Sequence, residues 1–390
     1  MNPPAADEAA VLHERLFTLD THSDTPTASL LKPGWDFAVR HDQTVDGSQC
    51  DLPRLRAGGM DAMVFAVYVG QAARSPEGLA VAHEVARHCF ERTHEVLREH
   101  AAACALALTA DDGLRLKGAG RRAIYLSIEN AYSLGRDVAN VEKFHRLGVR
   151  MMGLTHMLNN DLADASTDPR GPEWGGLSPV GREVVAECNR LGIVLDASHA
   201  SDKALWDLLE VSRAPAVLSH TGPRTMCDHP RNVGDELLRA LAAKGGVIHI
   251  NALPVSLVDV PGNGRTAAIA EVLMRYRDSP PTPEMRAAEN RDYDVVCARH
   301  PNPRVTLDDV VRHIEHAVAV AGIDHVGIGC DLDGGGGGFE GLRDVGDYPN
   351  LTRALLGRGW NEANLAKLCG ENTLRVMRAA QRCAESDATQ

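Results

Sequence analysis

The chain has 390 residues, of which 44% are hydrophobic and 24% are charged, a balance typical of a folded globular protein. Its formal net charge is -12 at pH 7, and lysine and arginine are dispersed along the chain. This excludes the concentrated basic surface of a nucleic-acid-binding protein, so we expect no nucleic acid partner.

The sequence also lacks the signals of export and membrane insertion. No uninterrupted apolar stretch is long enough to span a bilayer, and the amino-terminal segment lacks the basic and apolar parts of a secretion signal. Nine cysteines are scattered singly without a C-x-x-C pair, which indicates reduced thiols rather than disulfides or a zinc finger. We therefore expect a cytoplasmic protein with no membrane partner.

Short apolar runs alternate with helical patterns along the chain. This alternation predicts an α/β protein built from βαβ units with a parallel sheet. Eight such runs favour a closed (β/α)8 barrel of the TIM type over an open sheet. The predicted strands cover residues 16–21, 62–69, 123–128, 149–155, 193–198, 214–219, 246–250 and 325–329.

Two connecting helices have clear start and stop signals. Ser178, followed by a proline, favours a helix start, and Gly192 ends that helix just before the fifth strand. Thr306 and Asp309 have the spacing of a capping box, and Gly322 ends their helix just before the eighth strand. Both patterns predict the short helix-to-strand loops of a βαβ barrel.

One connection breaks the regular alternation. Residues 252–304, after the seventh strand, are longer than a barrel connection requires and include a helical pattern near 267–277. Because the barrel pattern resumes afterwards, we interpret them as an insertion into a single domain that covers residues 1–390. We expect this insertion to lie over the mouth of the site. The glycine tract at 334–338 lacks the lysine and hydroxyl of a phosphate-binding loop and is interpreted as a flexible rim turn.

Side chains able to bind a metal or move a proton follow most of the predicted strands. They are His22, Asp24, Glu129, His156, His199, His220 and Asp331. In a parallel barrel the carboxyl ends of all strands meet at one rim, so residues far apart in sequence can form one site there. Each residue alone has an ordinary structural interpretation, such as a helix cap or a buried histidine. Their shared position favours a common site.

The spacing and types of five of these residues suit metal binding. His22 and Asp24 are two residues apart, so they project to the same face of an extended segment and can share one ion. Glu129 ends an apolar strand, where a lone buried carboxylate is costly without a cation. His199 and His220 close neighbouring strands, and neutral imidazole suits zinc. These residues give two nitrogen–oxygen ligand sets, with Glu129 available to bridge them.

The motifs around these residues resemble those of the membrane (renal) dipeptidase family of metallopeptidases, peptidase family M19, within the amidohydrolase-like superfamily. The resemblance extends from about Asp20 to Met377. It depends on Asp20-Thr-His-Ser-Asp24, Leu195-Asp-Ala-Ser-His199, Leu218-Ser-His220, His229-Pro-Arg-Asn-Val233 and the segments 148–156, 176–185 and 321–334. It implies an amidohydrolase-like barrel and a zinc-dependent dipeptidase that uses a metal-bridging hydroxide and accepts a D-residue at the carboxyl-terminal position.

The resemblance also implies two Zn²⁺ per chain that share one glutamate. One zinc would be held by His22, Asp24 and Glu129, and the other by Glu129, His199 and His220. A homodimer is a further implication of the family.

Three more residues take roles from the resemblance. It implies that His156 contacts the reacting carbonyl, Arg231 binds the terminal carboxylate of a dipeptide substrate, and Asp331 transfers protons. An alternative for Arg231 is a salt bridge with Asp235 at a helix start.

The chain departs from the family at one point near the bridging glutamate. Two glycines usually follow that residue, whereas Asn130 and Ala131 follow it here. A larger group beside Glu129 bears on pocket shape and specificity more than on metal binding. Two alternative functions stay open: hydrolysis of another amide or lactone bond, as in an N-acyl amino acid or a β-lactam, and a binding protein without catalysis.

Overall fold

A computed structural model describes residues 6–388 of the chain, except 261 and 263. The first five residues of the amino-terminal segment, in which we predict no secretion signal, lie outside this description. Within the described part, no helix combines the length and the apolar character needed to cross a bilayer. All nine cysteines are free.

In the described part of the chain, nine strands form one parallel sheet. They are β1 Leu19–Ser23, β2 Ala62–Tyr68, β3 Cys104–Leu106, β4 Arg122–Glu129, β5 Val149–Gly153, β6 Val194–Asp196, β7 Val217–Thr221, β8 Val247–Ile250 and β9 Val326–Ile328. Eight of them pair in the order β1-β2-β4-β5-β6-β7-β8-β9, and β3 pairs with β4 outside this order. The segment after β9 returns to β1, where the Asp24 N–H donates to the Leu332 carbonyl over 2.9 Å. This ring confirms the predicted TIM-type barrel.

Sixteen α-helices connect and surround the strands in the described residues. They are α1 Ala6–Arg15, α2 Gln43–Asp46, α3 Leu52–Ala57, α4 Pro76–Glu99, α5 Ala110–Gly118, α6 Ala139–Arg146, α7 Pro179–Leu191, α8 Asp202–Val211, α9 Asp235–Ala243, α10 Pro254–Leu257, α11 Arg265–Tyr276, α12 Pro283–Arg299, α13 Leu307–Ala321, α14 Tyr348–Gly357, α15 Glu362–Ala366 and α16 Asn372–Ala388. Short π-helical turns occupy Pro26–Leu30 and Lys367–Glu371, and 3-10 turns occupy Ala131–Leu134, Ile323–His325 and Val345–Asp347.

The eight predicted strands are all present, but several limits differ. Leu16 lies beyond the end of α1 rather than in β1, because its N–H donates to the Leu12 carbonyl over 3.2 Å. The seventh strand in the chain begins at Val217, beyond Pro215, which has no N–H to donate to a neighbouring strand. The three residues of β3 were not predicted, since so short a run has no recognisable alternation.

Both predicted helix caps are confirmed. The Ser178 hydroxyl accepts the Gly181 N–H over 2.9 Å, and Gly192 ends α7 with a φ of 72°. The Asp309 carboxylate accepts the Thr306 N–H over 2.7 Å, and α13 ends at Gly322. These local signals place the following strands directly after their helices.

Two hydrophobic clusters hold the barrel together. The smaller cluster takes alternate strand residues, including Val64, Tyr125 and Val217, and joins them to α16 through Leu374 and Met377. The larger cluster contains the other strand face and the surrounding helices. Because successive strand residues point to opposite faces, this division separates the barrel interior from the layer beneath the helices.

The segment 252–304 forms α10, α11 and α12, and the last two helices pack against each other. The sequence predicted α11 but not α12. In α12 only Glu289 is buried, so the helix lacks the apolar stripe that identifies an amphipathic helix. The pair is fastened to the loop after β2, where the Ala73 N–H donates to the Ser279 carbonyl over 3.2 Å.

Candidate metal centre

The predicted site residues come together at the carboxyl rim of the barrel. His22, Glu129 and His220 lie in β1, β4 and β7, and Asp24, His156, His199 and Asp331 follow the ends of β1, β5, β6 and β9. All except His156 are only 1–7% exposed, and the His156 side chain is 22% exposed. Strand ends far apart in sequence thus supply one buried polar cluster.

The first predicted ligand set surrounds a common point. Nε2 of His22 lies 3.5 Å from Asp24 Oδ2 and 3.5 Å from Glu129 Oε2. Tetrahedral zinc with bonds of about 2.0–2.1 Å separates its ligand atoms by about 3.3 Å, close to these distances. Both His22 Nε2 and Asp24 Oδ1 are buried without a hydrogen-bond partner. A cation between the three residues would satisfy these atoms.

The second ligand set shares Glu129. Nε2 of His199 lies 2.9 Å from Glu129 Oε1 and 2.9 Å from Nε2 of His220. The His220 Nε2 lies 3.5 Å from the same glutamate oxygen. The three ligand atoms lie within 4.8 Å of one another, as do those of the first set. The geometry therefore fits two cations with Glu129 between them.

A serine fixes the proton on His220. Nδ1 of His220 lies 2.8 Å from Ser219 Oγ, and this hydroxyl lies 2.6 Å from Asp196 Oδ2. Since the serine donates its proton to the carboxylate, it accepts one from His220 Nδ1. The lone pair of His220 is then on Nε2, the atom that faces Glu129 and His199.

Asp331 lies beside the same candidate ligands. Its Oδ1 is 3.9 Å from His22 Nε2, and its carboxylate forms a third compact group with His22 and His220. Gly334 allows the backbone to pass close by, because a Cβ there would lie 2.1 Å from Asp24 Oδ2 and 2.3 Å from Asp331 Oδ1. The glycine tract was predicted to be a rim turn. Its first residue, Gly334, also lets the main chain pass close to the carboxylates of Asp24 and Asp331.

The carboxylates crowd negative charge into a buried space. Burial raises the pKa of Asp24 to about 7, and the charge of Glu129 adds to the effect. Burial also raises the pKa of Asp331 well above its usual value, and nearby Asp24 and Glu129 reinforce it. For Glu129 burial acts in the same direction, but the charges of His22 and His156 outweigh it and lower the pKa. Cations would relieve the repulsion among these groups.

The histidines differ in their protonation. Burial and the nearby Arg231 guanidinium lower the pKa of His199, and burial with the charge of His22 lowers that of His220. Burial also lowers the pKa of His156 to about 4. Neutral imidazole is the form that binds metals. Burial disfavours the charged form of His22 as well, but the charges of Glu129 and Asp24 raise its pKa.

Arg231 does not form the alternative salt bridge with Asp235. Its guanidinium donates to the Ser198 carbonyl and, over 3.2 Å, to the His220 carbonyl. Asp235 instead accepts from His316 over 2.9 Å. Arg231 is 5% exposed, yet it lines the cavity beside the ligand cluster.

A cavity of about 480 Å³ opens from the cluster toward the insertion. The lining residues that were not predicted from the sequence include Tyr68, Arg265, Arg286, Glu289 and Tyr293. Tyr68 ends β2 in register with Glu129, and its ring centre is 4.5 Å from that of His156. Its position at a strand end was a signal that could have identified it. The other four belong to α11 and α12, so these two helices contribute to the wall of the cavity.

The structure accommodates Asn130 directly after Glu129, at a position where the family usually has a glycine. It adopts a left-handed conformation with a φ of 61°, which asparagine tolerates better than most residues. Its Nδ2 donates to the Val69 carbonyl, and its Oδ1 accepts from Asn160, both over 3.1 Å. Among the described residues, the non-glycine positions with positive φ are Asn130, Asp331 and Asp333. All three lie beside the ligand cluster, where backbone strain often accompanies function.

Comparisons with known proteins agree with this architecture. The model of the membrane dipeptidase family (Peptidase family M19) matches residues 6–390. Dipeptidase tcpJ of Claviceps purpurea is 32% identical over 378 residues, which cover 94% of this chain and 78% of that protein. The probable dipeptidase PvdM from Pseudomonas aeruginosa has a TM-score of 0.83 at 28% identity and covers 97% of this chain and 99% of its own.

A further solved structure resembles the chain in fold. It is a metallo peptidase from Rhodobacter sphaeroides, liganded with a phosphinate mimic of the dipeptide L-Ala-D-Ala. Its TM-score is 0.75 at 24% identity, and the match covers 94% of this chain and 99% of that chain.

Proposed function

The chain belongs to the membrane dipeptidase family, peptidase family M19, and is a metallo-dipeptidase. We propose that it hydrolyses dipeptides with two zinc ions. The observation that carries the proposal is the pair of ligand sets that share Glu129, each with its ligand atoms within 4.8 Å. As the family resemblance implies, we extend the proposal to dipeptides with a D-residue at the carboxyl-terminal position.

The ligand residues suit zinc in type as well as in position. His22, Asp24 and Glu129 would hold one ion, and Glu129, His199 and His220 would hold the other. Imidazole nitrogen and carboxylate oxygen are common zinc ligands. When bound, two zinc ions lower the pKa of water toward neutrality and act as Lewis acids on a carbonyl group.

Asp331 would move protons in this reaction. Its buried carboxyl has a raised pKa and lies 3.9 Å from the ligand nitrogen of His22. A carboxylate there would accept a proton from the attacking water and return it to the nitrogen of the leaving amine.

His156 and Arg231 would act on the substrate. The neutral His156 imidazole lies against the rings of Tyr68 and His199, with centroid distances of 4.5 and 4.2 Å. Its N–H would donate to the oxygen on which charge develops during attack on the peptide carbonyl. The Arg231 guanidinium would bind the terminal carboxylate of the dipeptide by charge-assisted hydrogen bonds.

A substrate panel tests the reaction. Zinc-loaded protein should hydrolyse a library of dipeptides with L- or D-residues at the second position, and chelation should abolish hydrolysis. Metal analysis should find two zinc ions per chain. Hydrolysis of N-acyl amino acids or β-lactams without hydrolysis of any dipeptide would overturn the proposal, as would a metal content far below two.

The first prediction concerns Asp331→Asn. This variant should keep both zinc ions but lose roughly 100-fold or more in kcat, because the amide cannot accept a proton. Steady-state kinetics and metal analysis of the same preparation measure the two effects. Asp324→Asn, at a surface residue paired with Lys367, is the matched control and should retain activity. Near-normal turnover of the Asp331 variant would remove this residue from proton transfer.

A further inference from the structure

Two guanidinium groups that line the cavity have no carboxylate partner among the residues that the structure describes. We propose that Arg265, the first residue of α11, selects dipeptides whose carboxyl-terminal residue has an acidic side chain. This inference rests on the proposed dipeptidase function and names the substrate class for the same site.

Three arginines line the cavity, and their pairing differs. Arg286 donates to the Glu289 carboxylate over 2.6 Å, so its charge is already compensated. Neither Arg231 nor Arg265 has a carboxylate within 4 Å among the residues that the structure describes. These two arginines are therefore the cavity cations that remain available to an anionic ligand.

Main-chain contacts hold Arg265 in position. Its Nη1 donates to the Cys297 carbonyl over 3.2 Å and to the His300 carbonyl, both near the end of α12. Its Nη2 lies 3.1 Å from Cys297 Sγ. Neutral acceptors orient the guanidinium without neutralising it, and a pre-oriented guanidinium suits carboxylate binding.

A histidine joins the wall segments that carry Arg231 and Arg265. The main-chain N–H of Arg231 donates to Nδ1 of His229 over 3.2 Å. Nε2 of His229 lies 2.7 Å from the hydroxyl of Thr266. Arg265 immediately precedes that threonine. On this proposal, the substrate residue whose terminal carboxylate binds Arg231 extends its side chain toward Arg265.

The charges of the cavity favour a second substrate carboxylate. Two divalent cations would be compensated by Asp24, Glu129, Asp331 and a hydroxide, and Arg286 is compensated by Glu289. Asp333 is the remaining acid of the lining, and it accepts from the Thr25 hydroxyl and the Gln49 N–H. An ordinary dipeptide supplies one carboxylate, whereas a terminal aspartate or glutamate supplies one for each unpaired arginine.

Acids of the adjoining cavity do not take this role. Arg265 also lines a neighbouring space of about 470 Å³, whose lining includes the acids Asp168, Asp228, Asp259 and Glu271. Asp168 pairs with Arg170 over 2.9 Å, and Asp259 lies 3.3 Å from the Cys227 thiol. None of the four carboxylates forms an ion pair with Arg265 within 4 Å.

Matched substrates test the proposal with the zinc-loaded enzyme. Ala-Glu and Ala-Gln differ at the side-chain terminus, and each is assayed with an L- and a D-residue at the second position. We expect kcat/KM of the wild type to favour Ala-Glu roughly ten- to a hundredfold, as for a hydrogen bond between charged groups. In Arg265→Gln this ratio should fall to about one, and Arg265→Lys should retain part of it.

Arg275→Gln is the control on the same helix. Arg275 pairs with Asp292 outside the cavity lining, so this variant should keep the wild-type ratio. A wild-type ratio near one, or an equal loss for both substrates in Arg265→Gln, would overturn the proposal. Hydrolysis of neutral dipeptides in the same assays would show that the dipeptidase function stands even then. No hydrolysis of any dipeptide would instead remove the proposed function.

Discussion

At the scale of single residues, Ser219 connects a candidate ligand to a buried carboxylate. Its hydroxyl lies 2.8 Å from His220 Nδ1 and 2.6 Å from Asp196 Oδ2. Partners behind a ligating histidine hold its ring orientation and keep the proton off the metal-binding nitrogen. The Ser219 N–H also donates to Asp196 over 2.9 Å, so the carboxylate fixes both the main chain and the side chain of this serine.

We expect Ser219→Ala to lower zinc affinity at the site of His220 roughly ten- to a hundredfold, because the imidazole loses the acceptor for its Nδ1 proton. Competition with a calibrated chelator measures the affinity independently of turnover. Ser29→Ala is the control, since Ser29 is also buried but its hydroxyl has no hydrogen-bond partner. Equal affinities for Ser219→Ala and the wild type would contradict the role of Ser219.

At the scale of elements, the helix pair α11–α12 forms the cavity wall opposite the barrel rim. Arg286 of α12 fastens this pair to the loop after β2, because it donates to the carbonyl groups of Gly70 and Gln71. It also pairs with Glu289 on its own helix. These polar contacts therefore help to hold the α11–α12 pair over the site, together with the buried Ile269, Ala270 and Val272 of α11.

Replacement of Arg286 by glutamine should loosen this wall without unfolding the barrel. Lost contacts to the β2 loop should raise hydrogen exchange in residues 265–299, whereas the exchange of the barrel strands should stay unchanged. Exchange measured by mass spectrometry resolves the two regions. Arg291→Gln is the control, because Arg291 is exposed on the same helix and forms no ion pair among the described residues. Unchanged hydrogen exchange in residues 265–299 would show that other contacts hold the α11–α12 pair in place.

These elements also show where sequence patterns were sufficient. The caps at Ser178 and Thr306 were predictable because the interacting atoms lie within one helical turn. The helix α12 was not predictable from periodicity, since its one buried residue is the charged Glu289. A helix that covers a polar cavity lacks the apolar stripe on which such predictions depend.

At the scale of the whole molecule, His249 joins the barrel to the carboxyl-terminal helix. It is fully buried in β8, with Nδ1 3.0 Å from the Leu218 carbonyl and Nε2 2.9 Å from the Thr373 hydroxyl. Burial lowers the pKa of His249 to about 4. Below pH 6.5 the unfolded chain binds a proton at this histidine that the folded chain does not bind until about pH 4.

The free energy of unfolding should therefore decrease as the pH falls from about 6.5 to about 4, with a contribution from His249 of roughly 3 kcal/mol. His249→Gln should make this pH dependence shallower, whatever its effect on stability at neutral pH. Urea unfolding of the metal-free protein at several pH values measures the slope. His88→Gln, at an exposed histidine of α4, should keep the wild-type slope. An unchanged slope in His249→Gln would contradict the assignment.

Two expectations about the whole molecule stay predictions. They are the cytoplasmic location and the homodimeric state. The single-domain interpretation of residues 1–390, with 252–304 as its insertion, also stays a prediction, although the described helices of that segment do lie over the barrel rim.

The barrel and the candidate ligands could be predicted from the sequence, because both depend on local patterns. Alternating strands and helices predict the fold. Because the carboxyl ends of parallel strands meet at one rim of a barrel, candidate ligands at these ends are expected to lie together. Only the tertiary structure showed that Tyr68 and Arg265 line the cavity and that Asp196 acts on His220 through Ser219. Those contacts join segments that no short-range spacing relates, so they exist only after the chain has folded.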